Sequence, residues 1–285
     1  MKILLQAPIM TSSGYGEHSR LVLKSLLNIG NPDIDIYIEP LNWGNTSWTN
    51  TDKSFNDIIT QLYIKNENYK AQFQDKASYD VQIHVGIPNE FSKRAPYSVC
   101  VTAGIESDKV SAEWILKTHK GIDKIVVPSE HARDGFLKTF YDAVDGDNNE
   151  LKLGCASPVS VVPYPHKIFD KVDLNLDLST KFNFLVVAMH GPRKNLNNTI
   201  EWFLDVFESD EDVGLVLKIG HGRGTQMDKE HTTEFLNQII SKREDIKCKI
   251  YLLHGNLQDE EMLSLYSDNN IHSLISISHG EGFGL

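Results

Sequence analysis

Positive charge is in short supply in this sequence: 28 Lys and Arg face 39 Asp and Glu, for a formal net charge of −11. A surface built to follow a nucleic-acid backbone carries an excess of cations. The balance argues against a general polyanion binder, while leaving room for a local basic site for a small anion. Cysteine is scarce as well. Cys100, Cys155 and Cys248 are odd in number and far apart, so they make neither a C-x-x-C clamp nor a disulfide framework. They read as small buried apolar residues in a reducing cytosol. No stretch approaches the roughly 18 apolar residues of a membrane-spanning helix. The opening apolar run is too short for a signal peptide and is broken by Pro8. The expected location is the cytoplasm. Without a secretory signal, the sequons Asn45-Thr46-Ser47 and Asn197-Asn198-Thr199 carry no weight.

Several catalytic signatures are missing too. Hydrolase chemistry lacks its G-x-S-x-G elbow. Asp33-x-Asp35 echoes the D-x-D of metal-dependent transferases but sits in the wrong fold pattern. Asp145-Gly146-Asp147-Asn148-Asn149-Glu150 has the flavour of a Ca²⁺ loop, yet lacks the glycine at its sixth position and the distal Glu. It reads as a solvated acidic loop, and no metal site is expected.

The sequence does contain an alternation. Short apolar, β-branched runs at 2–6, 34–38, 81–85, 98–102, 124–127 and 159–162 are interleaved with amphipathic patterns at 17–28, 52–64, 111–118 and 129–140. Residues 40–52 read as a loop. The cycle restarts with strands at 182–188, 213–219, 249–253 and 273–277 and helices at 195–207, 229–241 and 259–266. Continuous apolar strands between helices mean parallel sheets covered on both faces. Two such series imply an α/β protein of two Rossmann-like doubly wound domains. They divide near Pro163-Tyr164-Pro165, into 1–165 and 166–285.

Open parallel sheets bind ligands beyond the carboxyl ends of their strands. After the first strand comes Thr11-Ser12-Ser13-Gly14-Tyr15-Gly16, which is neither a dinucleotide fingerprint nor a P-loop. Two readings stay open: a tight turn, or a loop in which Gly14 and Gly16 let the backbone approach a ligand. Gly191-Pro192-Arg193-Lys194-Asn195 follows the first strand of the second series, with Asn195 placed as helix N-cap. Two cations beside a helix start oppose the macrodipole unless an anion joins them, so Arg193 and Lys194 read as a diphosphate site. Lys218, at the end of an apolar strand, either snorkels to water or assists at the phosphates. His84 and Glu106 each follow a strand. Each alone is an ordinary structural residue, and together they read as acceptor-side groups facing an interdomain cleft. The sequence closes on Gly280-Glu281-Gly282-Phe283-Gly284-Leu285, a carboxylate suited to sugar hydroxyls beside glycine N–H groups suited to phosphate.

These last residues resemble the opening of the E-x7-E signature of retaining GT-B glycosyltransferases, and Arg193-Lys194-Asn195 resembles their diphosphate-binding segment. Val127-Pro128-Ser129, Val161-Val162-Pro163 and Gly14-Tyr15-Gly16 fall in the order seen in that family. The resemblance implies transfer of a hexosyl or pentosyl group from a nucleotide-diphosphate sugar, with retained configuration and without a metal or a cofactor beyond the donor. It places the donor diphosphate on Arg193 and Lys194, with Lys218, and with the N–H groups of Phe283, Gly284 and Leu285. Gly14 and Gly16 would approach the phosphates from the first domain. Glu281 would take the donor-sugar hydroxyls, and His84 would lie near the transferring sugar. The sequence departs from the pattern at Met189-His190, where many relatives carry an arginine. It also ends before the second Glu of the signature, so the second domain is expected to be incomplete and the chain weakly active. Other readings remain: a non-catalytic nucleotide-sugar-binding protein, a sugar phosphorylase or epimerase on the same scaffold, or a DNA-modifying transferase, which the acidic charge disfavours.

Overall fold

A computed structural model describes residues 1–44, 46–47, 53–144, 146, 149–165 and 168–281, the side chain of residue 75 excepted. The chain divides into two compact units. The first holds Met1–Gly44, Trp48–His166 and Glu281–Leu285; the second holds Asn45–Ser47 and Lys167–Gly280.

In the first unit the order is β1 (Lys2–Ala7), α1 (Gly14–Asn28), β2 (Asp35–Pro40), α2 (Lys53–Phe73), β3 (Val81–Val85), β4 (Tyr97–Val101), α3 (Ala112–His119), β5 (Lys124–Val127), α4 (Glu130–Leu137), β6 (Tyr141–Val144), β7 (Glu150–Leu153) and β8 (Val159–Val161). Six strands form one parallel sheet in the order β2-β1-β3-β4-β5-β8. Alternating residues of β1 feed opposite faces. Leu5 and Ala7 join a core with Leu23, Ile38 and Ile59, while Leu4 packs with Tyr37 and Tyr79. That two-sided burial is why β1 is a continuous apolar run.

The second unit runs β9 (Phe182–Met189), α5 (Leu196–Phe207), β10 (Val213–Gly220), α6 (Gln226–Ile240), β11 (Lys249–Leu252), α7 (Asp259–Tyr266) and β12 (Ser273–Leu274). Its parallel sheet has the order β11-β10-β9-β12. Leu196, Ile200, Phe203 and Leu204 form the buried stripe of α5 against Leu215, Leu217 and Ile219 of β10. Ile200 and Leu204 are wholly enclosed, each contributing about 1.5–3 kcal/mol by burial. The other face of the sheet packs Leu185 and Val216 on Leu265.

Three elements depart from expectation. Helix α2 continues well past Ile64, to Phe73. In its added turns the polar Asn66 is fully buried and satisfied, donating to the Ile38 carbonyl at 3.0 Å and accepting from the Tyr79 hydroxyl at 2.5 Å. Helix α4 stops at Leu137 instead of running to residue 140. The Thr139 hydroxyl there donates to the Gly135 carbonyl and accepts the Val110 N–H, and the chain leaves as an antiparallel ribbon of β6 and β7. The acidic loop joins those two strands; its residues 145, 147 and 148 lie outside the described residues, as do 45 and 48–52 of the Trp43 loop. The last strand spans two residues, Ser273–Leu274, where five were expected. Among the described residues, no helix is long and apolar enough to cross a membrane.

Candidate functional site

The strand order of the second unit locates its binding edge. From β9 the chain moves to β10 and β11 on one side, and β12 then lies on the other side of β9. The loops after β9 and β12 therefore part at a topological switch point, where open parallel sheets form their ligand crevice. Here the backbone of the β9 loop makes one 3-10 turn, Pro192–Lys194, before α5 begins. It is stitched to the loop after β12. The His279 N–H donates to the Arg193 carbonyl at 2.8 Å, Arg193 Nη1 donates to the Gly280 carbonyl at 2.5 Å, and Asn195 Nδ2 donates to the Ile277 carbonyl at 3.0 Å.

Asn195 does not cap α5 with its side chain as expected. It sits in the left-handed region at φ 52°, its Oδ1 accepts Asn198 Nδ2, and only its carbonyl joins the helix, through the Thr199 N–H. Arg193 is exposed and Lys194 half-buried, both within one turn of the α5 N-terminus. The sequence expectation for these two cations thus falls at the switch point. Glu281 is half-buried and directly follows the Gly280 that Arg193 contacts. Phe283, Gly284 and Leu285, with Gly282, lie outside the described residues.

Lys218 turns towards the loop after β11, where its Nζ donates to the Gly255 carbonyl at 2.6 Å. Burial holds its ammonium below the ordinary lysine range, with Asp228 opposing. Asp228, in the first turn of α6, closes a feature the sequence reading passed over, Gly220-His221-Gly222-Arg223-Gly224-Thr225 from the end of β10 to the cap of α6. The buried Asp228 carboxylate accepts the N–H groups of His221 at 2.6 Å and of Arg223 and Gly224 at 2.9 Å. Burial pushes that carboxyl up, but the three N–H donors, together with His254, outweigh it and hold the group well below the usual carboxylate range. The N–H groups that would cradle a phosphate in such a loop are thus taken by the protein's own carboxylate. The signal was legible: alternating glycines after an apolar strand, then Thr225 capping α6 with an acid three residues on. His190 and His221, the first residues after β9 and β10, stack with ring centroids 4.4 Å apart.

In the first unit β1 lies between β2 and β3, so the loops after β1 and β3 flank its switch point. A Cβ on Gly16 would meet the Thr11 carbonyl oxygen at 2.0 Å, and the Gly16 N–H is already given to Ser13 Oγ at 3.0 Å. This glycine serves close packing of helix on loop. Gly14 is exposed, with open space where its Cβ would be. The buried Arg20 fixes the same loop, its Nη1 donating to the Ile9 and Thr11 carbonyls at 3.0 and 2.9 Å.

His84 is 2% exposed, edge-on to Phe91 and 3.0 Å from the Cβ position of Gly86. Burial lowers its pKa to about 4, against a hydrogen bond that the ring donates to the Ile87 backbone. Its Nε2 has no hydrogen-bond partner among the described residues. Glu106 is exposed. The two differ in burial, His84 being enclosed and Glu106 exposed. Among the described residues no group of three or more His, Cys, Asp or Glu is arranged to hold a metal ion.

No protein-family model matches the chain, and no curated protein matches it. Solved structures do. Anabaena HepE, in complex with UDP and glucose, aligns over 98% of this chain and 74% of its own at 12% identity, with a TM-score of 0.53. OtsA in its apo form aligns over 100% and 79% at 10% identity, TM-score 0.52. The lipopolysaccharide outer core galactosyltransferase WaaB, also apo, aligns over 100% and 76% at 14% identity, TM-score 0.50. The chain has the GT-B fold. At these identities the likeness is one of architecture: the GT-B pattern of two Rossmann-like sheets is shared, while the side chains at the loop ends are this chain's own.

Proposed function

We propose that the chain transfers a sugar from a nucleoside-diphosphate sugar to an acceptor, with the donor diphosphate held by Arg193 and Lys194. The observation that carries this reading is the pair of adjacent cations at the start of α5, at the switch point of the second sheet. A diphosphate there would receive charge-assisted hydrogen bonds from the Arg fork and the lysine alongside those of the helix N–H groups. The fold supports it, since HepE was solved with UDP and glucose and WaaB is described as a galactosyltransferase.

On this reading the loops after β9 and β12 bind the donor, and Glu106, exposed beyond β4, is an acceptor-side group. Glu281 accepts hydrogen bonds from donor-sugar hydroxyls. The bond from acceptor oxygen to anomeric carbon forms on the face from which the bond to phosphate breaks, so configuration is retained, and the acceptor proton passes to the departing diphosphate. The cations stabilise that leaving group in place of a metal. Arg193→Ala with Lys194→Ala should weaken nucleoside-diphosphate binding by about 2 kcal/mol or more. Unchanged affinity measured by calorimetry would remove these residues from the site and the reading with them.

A further inference from the structure

The loops after β9 and β10 each open on a histidine, and the two rings lie face to face. His190 and His221 stack at 25° with centroids 4.4 Å apart, and the His190 N–H donates to the Gly220 carbonyl at 2.7 Å. The two loop starts are thus joined through rings and through backbone. His190 is exposed at the carboxyl edge of the sheet and precedes Arg193 in the same short loop. Its ring edge also rests on Phe235 of α6, centroids 4.7 Å apart.

Two stacked imidazoles accommodate one positive charge far more readily than two, and an anion at their exposed edge favours that charge. The groups around the pair fit this. From α6, Asp228 Oδ1 lies 3.5 Å and Thr232 Oγ1 3.2 Å from His221 Nδ1, and the His231 ring is 6.2 Å from that of His221. From the β11 side, His254 Nε2 lies 3.4 Å from the same Asp228 oxygen. The loop of His190 itself brings Arg193 and Lys194. The inner ring, His221, therefore leans on a carboxylate, and the outer ring, His190, belongs to the loop of cations. Partial desolvation first, and the His221 ring second, hold His190 below the ordinary histidine range, which favours its neutral form.

We propose that the stacked His190–His221 pair is a proton-linked subsite for the donor diphosphate, His190 taking up a proton from solvent as the anion settles beside Arg193 and Lys194. This rests on the diphosphate position proposed above and adds one charged N–H donor to it. No covalent bond to the ligand forms or breaks.

The test uses inorganic pyrophosphate as probe and the full chain as protein. Calorimetric titrations from pH 6 to pH 8, in pairs of buffers with different ionisation heats, compare wild type, His190→Gln and the Arg193→Ala/Lys194→Ala double variant. Comparison with His190→Gln cancels the protonation of pyrophosphate itself. Wild type should take up more protons than His190→Gln, and its affinity should fall about tenfold further between pH 6 and pH 8. The two proteins should bind within about twofold of each other at pH 8. Should His190→Gln alter the melting temperature, His190→Asn replaces it. Equal proton uptake and equal pH slopes in wild type and the His190 variants overturn the inference whatever the double variant does. A double variant that binds like wild type while the His190 difference persists overturns the diphosphate position instead, and leaves the histidine pair as an anion site of its own. Absence of pyrophosphate binding to wild type at every pH overturns both.

Discussion

The Asp228 carboxylate accepts the backbone N–H of Arg223 at 2.9 Å, and this single contact helps convert a glycine-rich loop from an anion cradle into a closed structural turn. The same carboxylate holds the His221 and Gly224 N–H groups. Asp228→Asn would turn an amide NH₂ towards donors that need an acceptor. It should cost about 3 kcal/mol at pH 7, from hydrogen bonds to a buried charged acceptor. Because the folded carboxyl lies below its ordinary value of 3.8, its contribution is complete above that value and is lost as pH falls below it. Denaturant melts of wild type and variant should therefore differ most at neutral pH and converge below about pH 4. A constant difference down to pH 3 would show that the charge is not what matters.

The two glycines that open α1 should respond in opposite ways to alanine. At Gly16 the new methyl would overlap the Thr11 carbonyl, and overpacking of this kind costs about 1–3 kcal/mol. At Gly14 the methyl meets nothing within 4 Å, and the change should be neutral or stabilising by roughly 0.5 kcal/mol. Urea midpoints of the two variants check this; similar losses at both sites would mean that loop 8–13 is not packed as described.

Acid should loosen the first unit before its carboxylates titrate. His18, whose Nδ1 meets the Tyr164 hydroxyl at 3.1 Å, and His84 are both buried, and burial lowers each pKa from 6.5 to about 4. The unfolded chain binds protons that the folded one refuses, so stability is complete above pH 6.5 and falls as pH drops towards 4. The fall from 6.5 to about 4 amounts to roughly 3 kcal/mol for each ring. His84→Gln should flatten the slope of stability against pH over that range even if it lowers stability at pH 7. A slope unchanged in the variant would mean His84 is already protonated in the fold.

Sugar transfer should withstand EDTA. The motive is the proposal that Arg193 and Lys194 supply the positive charge a leaving diphosphate needs. Activity abolished by EDTA and restored by Mg²⁺ or Mn²⁺ would show that the cations are insufficient.

Where periodicity was strong the sequence was a good guide. The buried stripe of α5 and the two-sided β1 were legible because burial itself imposes the pattern. The failures have local causes. Beyond Ile64, where the helical pattern was ended, α2 carries a polar Asn66 that is buried for a tertiary reason, a bond from Tyr79. Tyr141-Asp142-Ala143-Val144 alternates like a strand, but its partner Glu150–Leu153 is reached through an acidic turn whose composition is that of a Ca²⁺ loop as much as of a hairpin. Arg193 and Lys194 stood out as candidates because two cations at a helix start oppose its dipole, and they lie at the switch point of the second sheet. His190 and His221 were missed because thirty residues of sequence separate rings that the sheet brings into contact, and no spacing rule connects them.

The parallel order of the first sheet also governs how the chain is made. β1 pairs with β3 through Ile3 and Val81, and the Lys2 N–H reaches Asp80 across 78 positions. On a ribosome adding roughly 5–20 residues per second, β1 therefore waits several seconds for that neighbour. During the interval the apolar Ile3-Leu4-Leu5 lacks its β3 edge, a substrate for chaperones that a synonymous-codon slowdown between β2 and β3 would prolong.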